Sequence, residues 1–509
     1  MELDARSVSN DAIVSGDVCI IGAGPVGLAL AGTLAAHGHD VALIESGTGP
    51  HDATADELND GDLVGDLAPD LRVLRARAIG GTASIWNTFL DGAPGARFVP
   101  FDPEDFTPRA WRAGAVWPIP YHAVARYYPA AMEFCGLGGF DFRAETMAHP
   151  DRPPPPLDGA RLAAGVYQVG PTARITVDVP SAIRASSRVM LVRGATATRV
   201  DTSADRSRIT AVHWSTLDGR RGSVRAARVV LAAGGIENPR RLLLWANGTA
   251  ATQSAWLGRG FMQHPWENSL EIVSKYPAFS ESHGFFSPHR NPQGVGIMGR
   301  IALSPALIAD ENIGNAGIYV VPLDQPHVFA VGSARAAAHR AVPSLRLRRA
   351  IGSAALAAAA TVWRARGRPC TVEIYLEQLP HFENRVTLSN RRDIFGQPLP
   401  VAEWRLLPDD HANLVRTRDI VARELERAGL GRVRPTRGII AEHENHHHIG
   451  ATRMHPDPAL GVVDTDQRVH GMENLYVAGA SVFPTGGFAN PTLTAIALAL
   501  RLADHLAAA

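Results

Sequence analysis

A short β-branched run, Asp17–Ile21 (DVCII), leads directly into Gly22-Ala23-Gly24-Pro25-Val26-Gly27, and no other stretch restricts the fold so strongly. Leu28, Ala31, Leu34 and Ala35 then recur at helical spacing until Gly38, and Val41–Ile44 reads as a second strand ending at Glu45. Strand, glycine turn, helix and strand within about 30 residues is the context a dinucleotide fingerprint demands. Gly22 permits the tight turn, Gly24 lets the backbone approach a pyrophosphate, and Gly27 lets helix pack on strand. The helix N-terminus presents partial positive charge to the phosphates, and Pro25 suits a first turn because its missing N–H would be unpaired there. Glu45, 18 residues beyond Gly27, can accept both ribose hydroxyls and would repel a 2′-phosphate, which disfavours NADP. FAD and NAD both satisfy this motif.

Later segments extend the reading. In Arg77-Ala78-Ile79-Gly80-Gly81-Thr82-Ala83-Ser84-Ile85-Trp86-Asn87 the paired glycines suggest a second backbone approach to the cofactor, with an ordinary Gly-Gly turn as the alternative. Val189–Val192, Gly194–Val200 (including Ala197) and Ile209–Trp214 alternate like hairpin strands. Arg228–Ala233 is a buried strand running into Gly234-Gly235, able to return to a parallel sheet and close over a nucleotide. Trp111, Trp117, Tyr121, Tyr127 and Tyr128 read as core, and Pro153–Pro156 as an extended external loop. From Glu271 to about Pro435, short alternating runs such as Cys370–Leu376 and Asn384–Leu388 indicate an antiparallel sheet, with Asp410–Gly429 as a helix over it.

The expected fold is therefore α/β: a discontinuous Rossmann-like domain (1–105, 180–270 and 436–509) and a substrate domain (106–179 and 271–435) built on an antiparallel sheet covered by helices. Lys plus Arg and Asp plus Glu are each 50, which argues against nucleic acid or an anionic membrane as partner. Three widely spaced cysteines, Cys19, Cys135 and Cys370, form no disulfide framework and fit a reducing compartment. The N-terminal residues lack the basic and apolar regions of a signal peptide, so a cytoplasmic location is expected. Ala350–Trp363, flanked by Arg346, Arg348, Arg349 and Arg364, is shorter than the roughly 20 residues of a spanning helix and reads as a surface or lid-like helix. No oligomeric state follows from the sequence.

The C-terminal block concentrates the candidate chemistry. His443-Glu444-Asn445-His446-His447 matches HExxH, but that zinc motif works only on a helix, and Gly438-Ile439-Ile440 before it and Ile449-Gly450-Ala451-Thr452 after it carry no helical pattern. No metal is expected. His443, His446, His448 and His455 are each explained as buried, hydrogen-bonded histidines; alternatively, one histidine of the cluster is a base that takes a hydroxyl proton while hydride leaves the same carbon. Leu475–Ala478 is a strand ending in Gly479-Ala480-Ser481, and Asn490-Pro491-Thr492 opens a helix running to about Leu506. The N-terminus of such a helix could stabilise a reduced, anionic flavin.

Together, the Gly22–Gly27 fingerprint, Gly80-Gly81-x-x-Ser84, Asn384-Arg385-Val386-Thr387-Leu388-Ser389 and Phe488-Ala489-Asn490-Pro491-Thr492-Leu493-Thr494 resemble the glucose–methanol–choline (GMC) oxidoreductases, most of all pyranose 2-oxidases and bacterial C-glycoside oxidases. The resemblance implies FAD, and oxidation of a secondary ring hydroxyl (C2 or C3) of a pyranose or glycoside to a ketone. Hydride would pass to flavin N5 and electrons to oxygen, giving peroxide, or to a quinone-like acceptor. It places His447, three residues before Gly450, as the catalytic base, with His446 or His448 in that place if the register slips by one. Asn490 holds the substrate oxygen. It further implies flavin contacts from Ser46, Arg77, Ser84, Asn87, Ala197, Ala233, Gly479, Ala480, Pro491 and Thr492, and substrate contacts from Asn445 and Gln378. Pyranose oxidases often link a histidine to the flavin where this chain has Ile85, so the FAD is expected to be non-covalent. The alternatives are a GMC enzyme for a non-sugar alcohol of a natural-product pathway, and a flavin-binding homologue without redox turnover.

Overall fold

The computed structural model describes residues 1–49, 52–66, 70–108, 115–246, 249, 254–276, 279, 284–322, 367–436, 441–442 and 446–508. The fingerprint folds as its residues dictate. Strand β1 (Ala12–Ile21) stops at Gly22, helix α1 (Pro25–Ala36) follows, and strand β2 (Val41–Glu45) pairs in parallel with β1. Gly22 sits at φ +109°, and a Cβ there would lie 2.6 Å from the Ala232 carbonyl oxygen, so only glycine fits.

The sheet is extended by later parts of the chain. Strand Val189–Arg193 adds in parallel to β2, and Glu2–Asp4 adds beyond it. On the other side lies β3 (Arg221–Leu231), parallel to β1 over its whole length. The early half of β3 pairs with the antiparallel hairpin Thr196–Thr202 and Ile209–Ser215, and its last residues pair in parallel with Leu475–Val477. Val189–Val192 is thus a strand of the parallel sheet rather than of a hairpin. Its alternation records which side is buried but not which strand lies beside it. After β3 comes helix α2 (Gly234–Trp245), and Thr492–Ala508 forms the last helix, α3.

Helix α3 packs directly on α1. Both are rich in alanine and leucine, and Leu28, Ala31 and Leu34 of α1 join Ala499, Leu502 and Leu506 of α3 in one core over the sheet. Burial runs almost all round α3, as expected of a helix held inside the molecule.

A second sheet is antiparallel throughout its main path. Its order is Arg432–Pro435, β4 (Trp266–Ser274), Arg368–Leu376, Ala316–Pro322, Gly296–Leu303, Leu162–Pro171, Ala93–Phe98 and Thr88–Leu90. The two strands between Thr88 and Phe98 come from the first 105 residues, so this early part of the chain contributes strands to both sheets. Asp62–Gly65 pairs with Pro398–Trp404, next to Arg385–Arg392, in a third small sheet. Helix Pro408–Arg427 covers the large sheet beside β4. All three cysteines are buried thiols outside any disulfide, and among the described residues no helix is long and apolar enough to cross a membrane. Trp111 and Ala350–Trp363 lie outside the described residues.

Candidate active site

At the nucleotide end the first fingerprint and the second glycine turn are knitted together. The Gly80 N–H donates to the Ala23 carbonyl (2.8 Å), and Gly81, at φ +58°, approaches Gly24 so closely that an added Cβ would lie 2.9 Å from its Cα. Ser84 closes the short turn Gly81–Ile85 by donating to the Gly81 carbonyl (3.0 Å), and Asn87 follows just before Thr88–Leu90. Gly24 caps α1 without a side chain, so no side chain caps the first-turn N–H groups, the arrangement suited to an anion.

Glu45 ends β2 with its carboxylate accepting from the Ala23 and Gly47 N–H groups, both at 2.8 Å. Burial pushes its pKa up, and those two N–H groups oppose the shift. Beside it Ser46 bonds Thr196 (3.0 Å) and receives the Arg77 guanidinium (3.4 Å). Ala197 is buried in the next strand, and the Ala233 N–H at the start of α2 donates to Asn238 (2.8 Å). The same Asn238 donates to the Ala478 carbonyl and to the Ser481 hydroxyl, both at 3.0 Å, fastening α2 to the C-terminal block.

That block brings His447 to Asn490. Met262 and Ile449 exchange backbone hydrogen bonds (2.8 and 3.1 Å), and the Gly450 N–H donates to Ala480 (3.1 Å), fixing the segment between β4 and the Gly479 turn. Gly450 has φ +76°, and a Cβ there would sit 2.1 Å from the Gly260 carbonyl oxygen, so the chain turns here only with glycine. His447 Nε2 then lies 2.9 Å from Asn490 Nδ2, at the mouth of α3 where Pro491 and Thr492 start the helix. Its Nδ1 lies 2.9 Å from Nδ1 of His264, whose Nε2 is 3.2 Å from the Gly486 carbonyl oxygen.

Electrostatics keep these rings neutral. Burial pushes His264 down to about 4, and burial together with the positive charge of Arg97 holds His447 well below the ordinary histidine range. The other histidines are otherwise engaged. His446 is exposed and faces the Leu74 carbonyl (3.1 Å), His448 packs on Gly235 with its pKa pushed by burial to about 3, and His455 accepts from the Asp457 N–H (3.0 Å). Among the described residues no cluster could hold a metal ion, while His443, Glu444 and Asn445 lie outside them.

Gln378 is not in the His447–Asn490 pair but two steps behind it. Its side chain accepts from the Gln263 N–H and Trp404 Nε1 and donates to the Arg405 carbonyl and Asp410, while Gln263 Oε1 accepts from the His447 N–H (3.1 Å). His264 and Gln263 were not singled out in the sequence. Nothing near them is periodic, and their partner His447 lies 183 residues away from His264.

A glycine-lined turn at an uncapped helix, a buried carboxylate at the end of the next strand, and a histidine–amide pair at the mouth of a second helix make up the candidate site. Residues 380–499 match the family model described as GMC oxidoreductase, and residues 15–57 that of an FAD binding domain. Paromamine 6'-oxidase of Streptomyces fradiae is 37% identical over 27% of this chain and 25% of its own, and C-glycoside 3-oxidase of Arthrobacter globiformis 34% over 27% and 26%. These matches span about a quarter of each relative. The large subunit of fructose dehydrogenase from Gluconobacter japonicus is 26% identical over 79% of this chain and 69% of its own. The solved structure of a formate oxidase shares the fold with a TM-score of 0.55 at 16% identity, over 98% of this chain and 99% of that one.

Proposed function

We propose that the protein oxidises a secondary ring hydroxyl, at C2 or C3, of a pyranose sugar or glycoside, C-glycosides included, to a ketone. The observation that carries this reading is the pairing of neutral His447 Nε2 with the Asn490 amide at 2.9 Å. A hydroxyl oxygen entering between them can donate its proton to Nε2 and accept from Nδ2, replacing the direct contact. His447 holds the proton, and Asn490 orients the oxygen but cannot act as a base. FAD, when bound, supplies the hydride acceptor. The residues present suit it: Gly22, Gly27 and Gly81 let backbone pack on backbone around Gly24, where an added Cβ would meet nothing nearer than 3.9 Å, so the uncapped start of α1 is open to a backbone-bound pyrophosphate, with Glu45 for the ribose. Ile85 offers no nucleophile, so the flavin is held by contacts alone. The reduced cofactor would pass its electrons to oxygen, giving peroxide, or to a quinone-like acceptor.

A second reading follows from the similarity to paromamine 6'-oxidase: the hydroxyl would then be exocyclic rather than on the ring. Anaerobic mixing with a panel of free sugars, C-glycosides and aminosugars, followed by product analysis, separates the two. In the same assay His447→Ala should slow flavin bleaching on the order of 10²–10⁴-fold. Unchanged bleaching with the best substrate would remove His447 as the base.

A further inference from the structure

His264 lies outside every motif that led to the site, yet it forms the far end of a short relay. Its ring meets that of His447 edge-on, with centroids 4.9 Å apart and planes at 72°. The Gly486 carbonyl, 3.2 Å from His264 Nε2, can only accept. Nε2 of His264 must therefore carry the hydrogen. In the neutral ring Nδ1 is then bare, and it faces His447 Nδ1 at 2.9 Å. Two bare nitrogens cannot hydrogen-bond, so the hydrogen between the rings belongs to His447 Nδ1. Nε2 of His447 is left with its lone pair toward Asn490 Nδ2, itself a donor.

We infer that His264, anchored on the Gly486 carbonyl, is the positioning residue that fixes His447 in the tautomer with a bare Nε2, the only form able to accept the substrate proton. Most catalytic histidines are held this way by a carboxylate or a backbone carbonyl; here a second, neutral imidazole does it. When the hydroxyl O–H bond breaks and its proton moves to Nε2, the His447 ring becomes a cation. Its Nδ1–H···Nδ1 bond to His264 then becomes charge-assisted and stronger. The interaction thus favours the proton-accepting state over the resting one. The Gly486-Gly487 turn gains a role as well, since its carbonyl sets the direction of the whole relay.

The inference rests on His447 being the base, and the test separates the two. In the FAD-loaded enzyme, His264→Phe keeps the ring volume but removes the acceptor. It should lower the rate constant of flavin reduction at saturating substrate at least about 10-fold, in the direction known when a catalytic histidine loses its tautomer. Half-saturation should change little. His264→Asn, which places an oxygen acceptor near the position of the lost Nδ1, should recover most of the rate; a merely structural role would leave both variants equally impaired. Nitrogen-15 spectra of histidine-labelled holoenzyme, with the His447 signals assigned by their loss in His447→Gln, should show Nδ1 protonated and Nε2 bare. A protonated Nε2 in the resting enzyme, or full activity of His264→Phe beside a crippled His447→Ala, would overturn the relay alone. Full activity of His447→Ala would instead overturn the base assignment, while the spectrum still decides the tautomer.

Discussion

Gly81 presses its Cα against the fingerprint turn, where an alanine Cβ would stand 2.9 Å from the Gly24 Cα at a backbone φ of +58°. Neither partner is a flexible side chain that could swing aside, so the two loops would have to separate. Gly81→Ala should therefore lower FAD content well below that of the unaltered protein while leaving the far-ultraviolet spectrum intact. Acid precipitation of the unaltered protein should release all of its flavin, because Ile85 forms no bond. Yellow colour retained in the washed pellet would contradict that. The glycines of both turns were legible because each demand is local: a positive φ or a contact with the next segment. His264 was not legible, because nothing in Met262-Gln263-His264-Pro265 signals a partner that the fold delivers from far along the chain.

Helix α2 shows how an element can be tied in by charge. Glu237 in its first turn is buried, and four guanidiniums surround it: Arg77 at 3.0 Å, Arg75 at 3.1 Å, Arg240 at 3.2 Å and Arg241 at 3.4 Å. Burial alone would raise its pKa, but the arginines hold it well below the usual carboxylate range. Removing that carboxylate leaves several buried cations facing one another. Glu237→Gln should cost about 3–5 kcal/mol of stability, the usual penalty for breaking a buried ion pair from one side. A urea midpoint within error of the unaltered protein would refute it. The elements themselves could largely be read from pattern: α1 and the helix Pro408–Arg427 follow apolar spacing, and α3 opens after Asn490-Pro491 as a long alanine- and leucine-rich run. Strand partners could not, as Val189–Arg193 demonstrates by adding to β2 rather than to its neighbour in sequence. The role of Gln378 was hidden for the same reason, since its four hydrogen bonds reach segments on three sides.

Over the whole molecule, the neutral histidines couple stability to pH. His264 titrates at about 4 and His448 at about 3 when folded, against 6.5 for an ordinary histidine. Below pH 6.5 the unfolded chain binds protons at these positions and the folded chain does not, so acid favours unfolding. The stabilising difference is complete above the unfolded value and is lost as pH falls toward the folded ones. Each histidine should remove up to about 1.4 kcal/mol per pH unit in that window. Urea midpoints should fall from pH 7.5 to pH 5.5, and His448→Phe should flatten the decline; equal slopes in both proteins would exclude His448 as a source.

The packing of α3 on α1 also has a consequence in time. The helix that covers the apolar side of α1 is made hundreds of residues later, and the same late helix carries Asn490 to His447. During synthesis, Leu28, Ala31 and Leu34 must wait uncovered while two further sheets emerge, a situation that slows folding and invites chaperone contact. The step that closes the first core is also the step that brings Asn490 to His447, so a chain that has not finished folding lacks that pair.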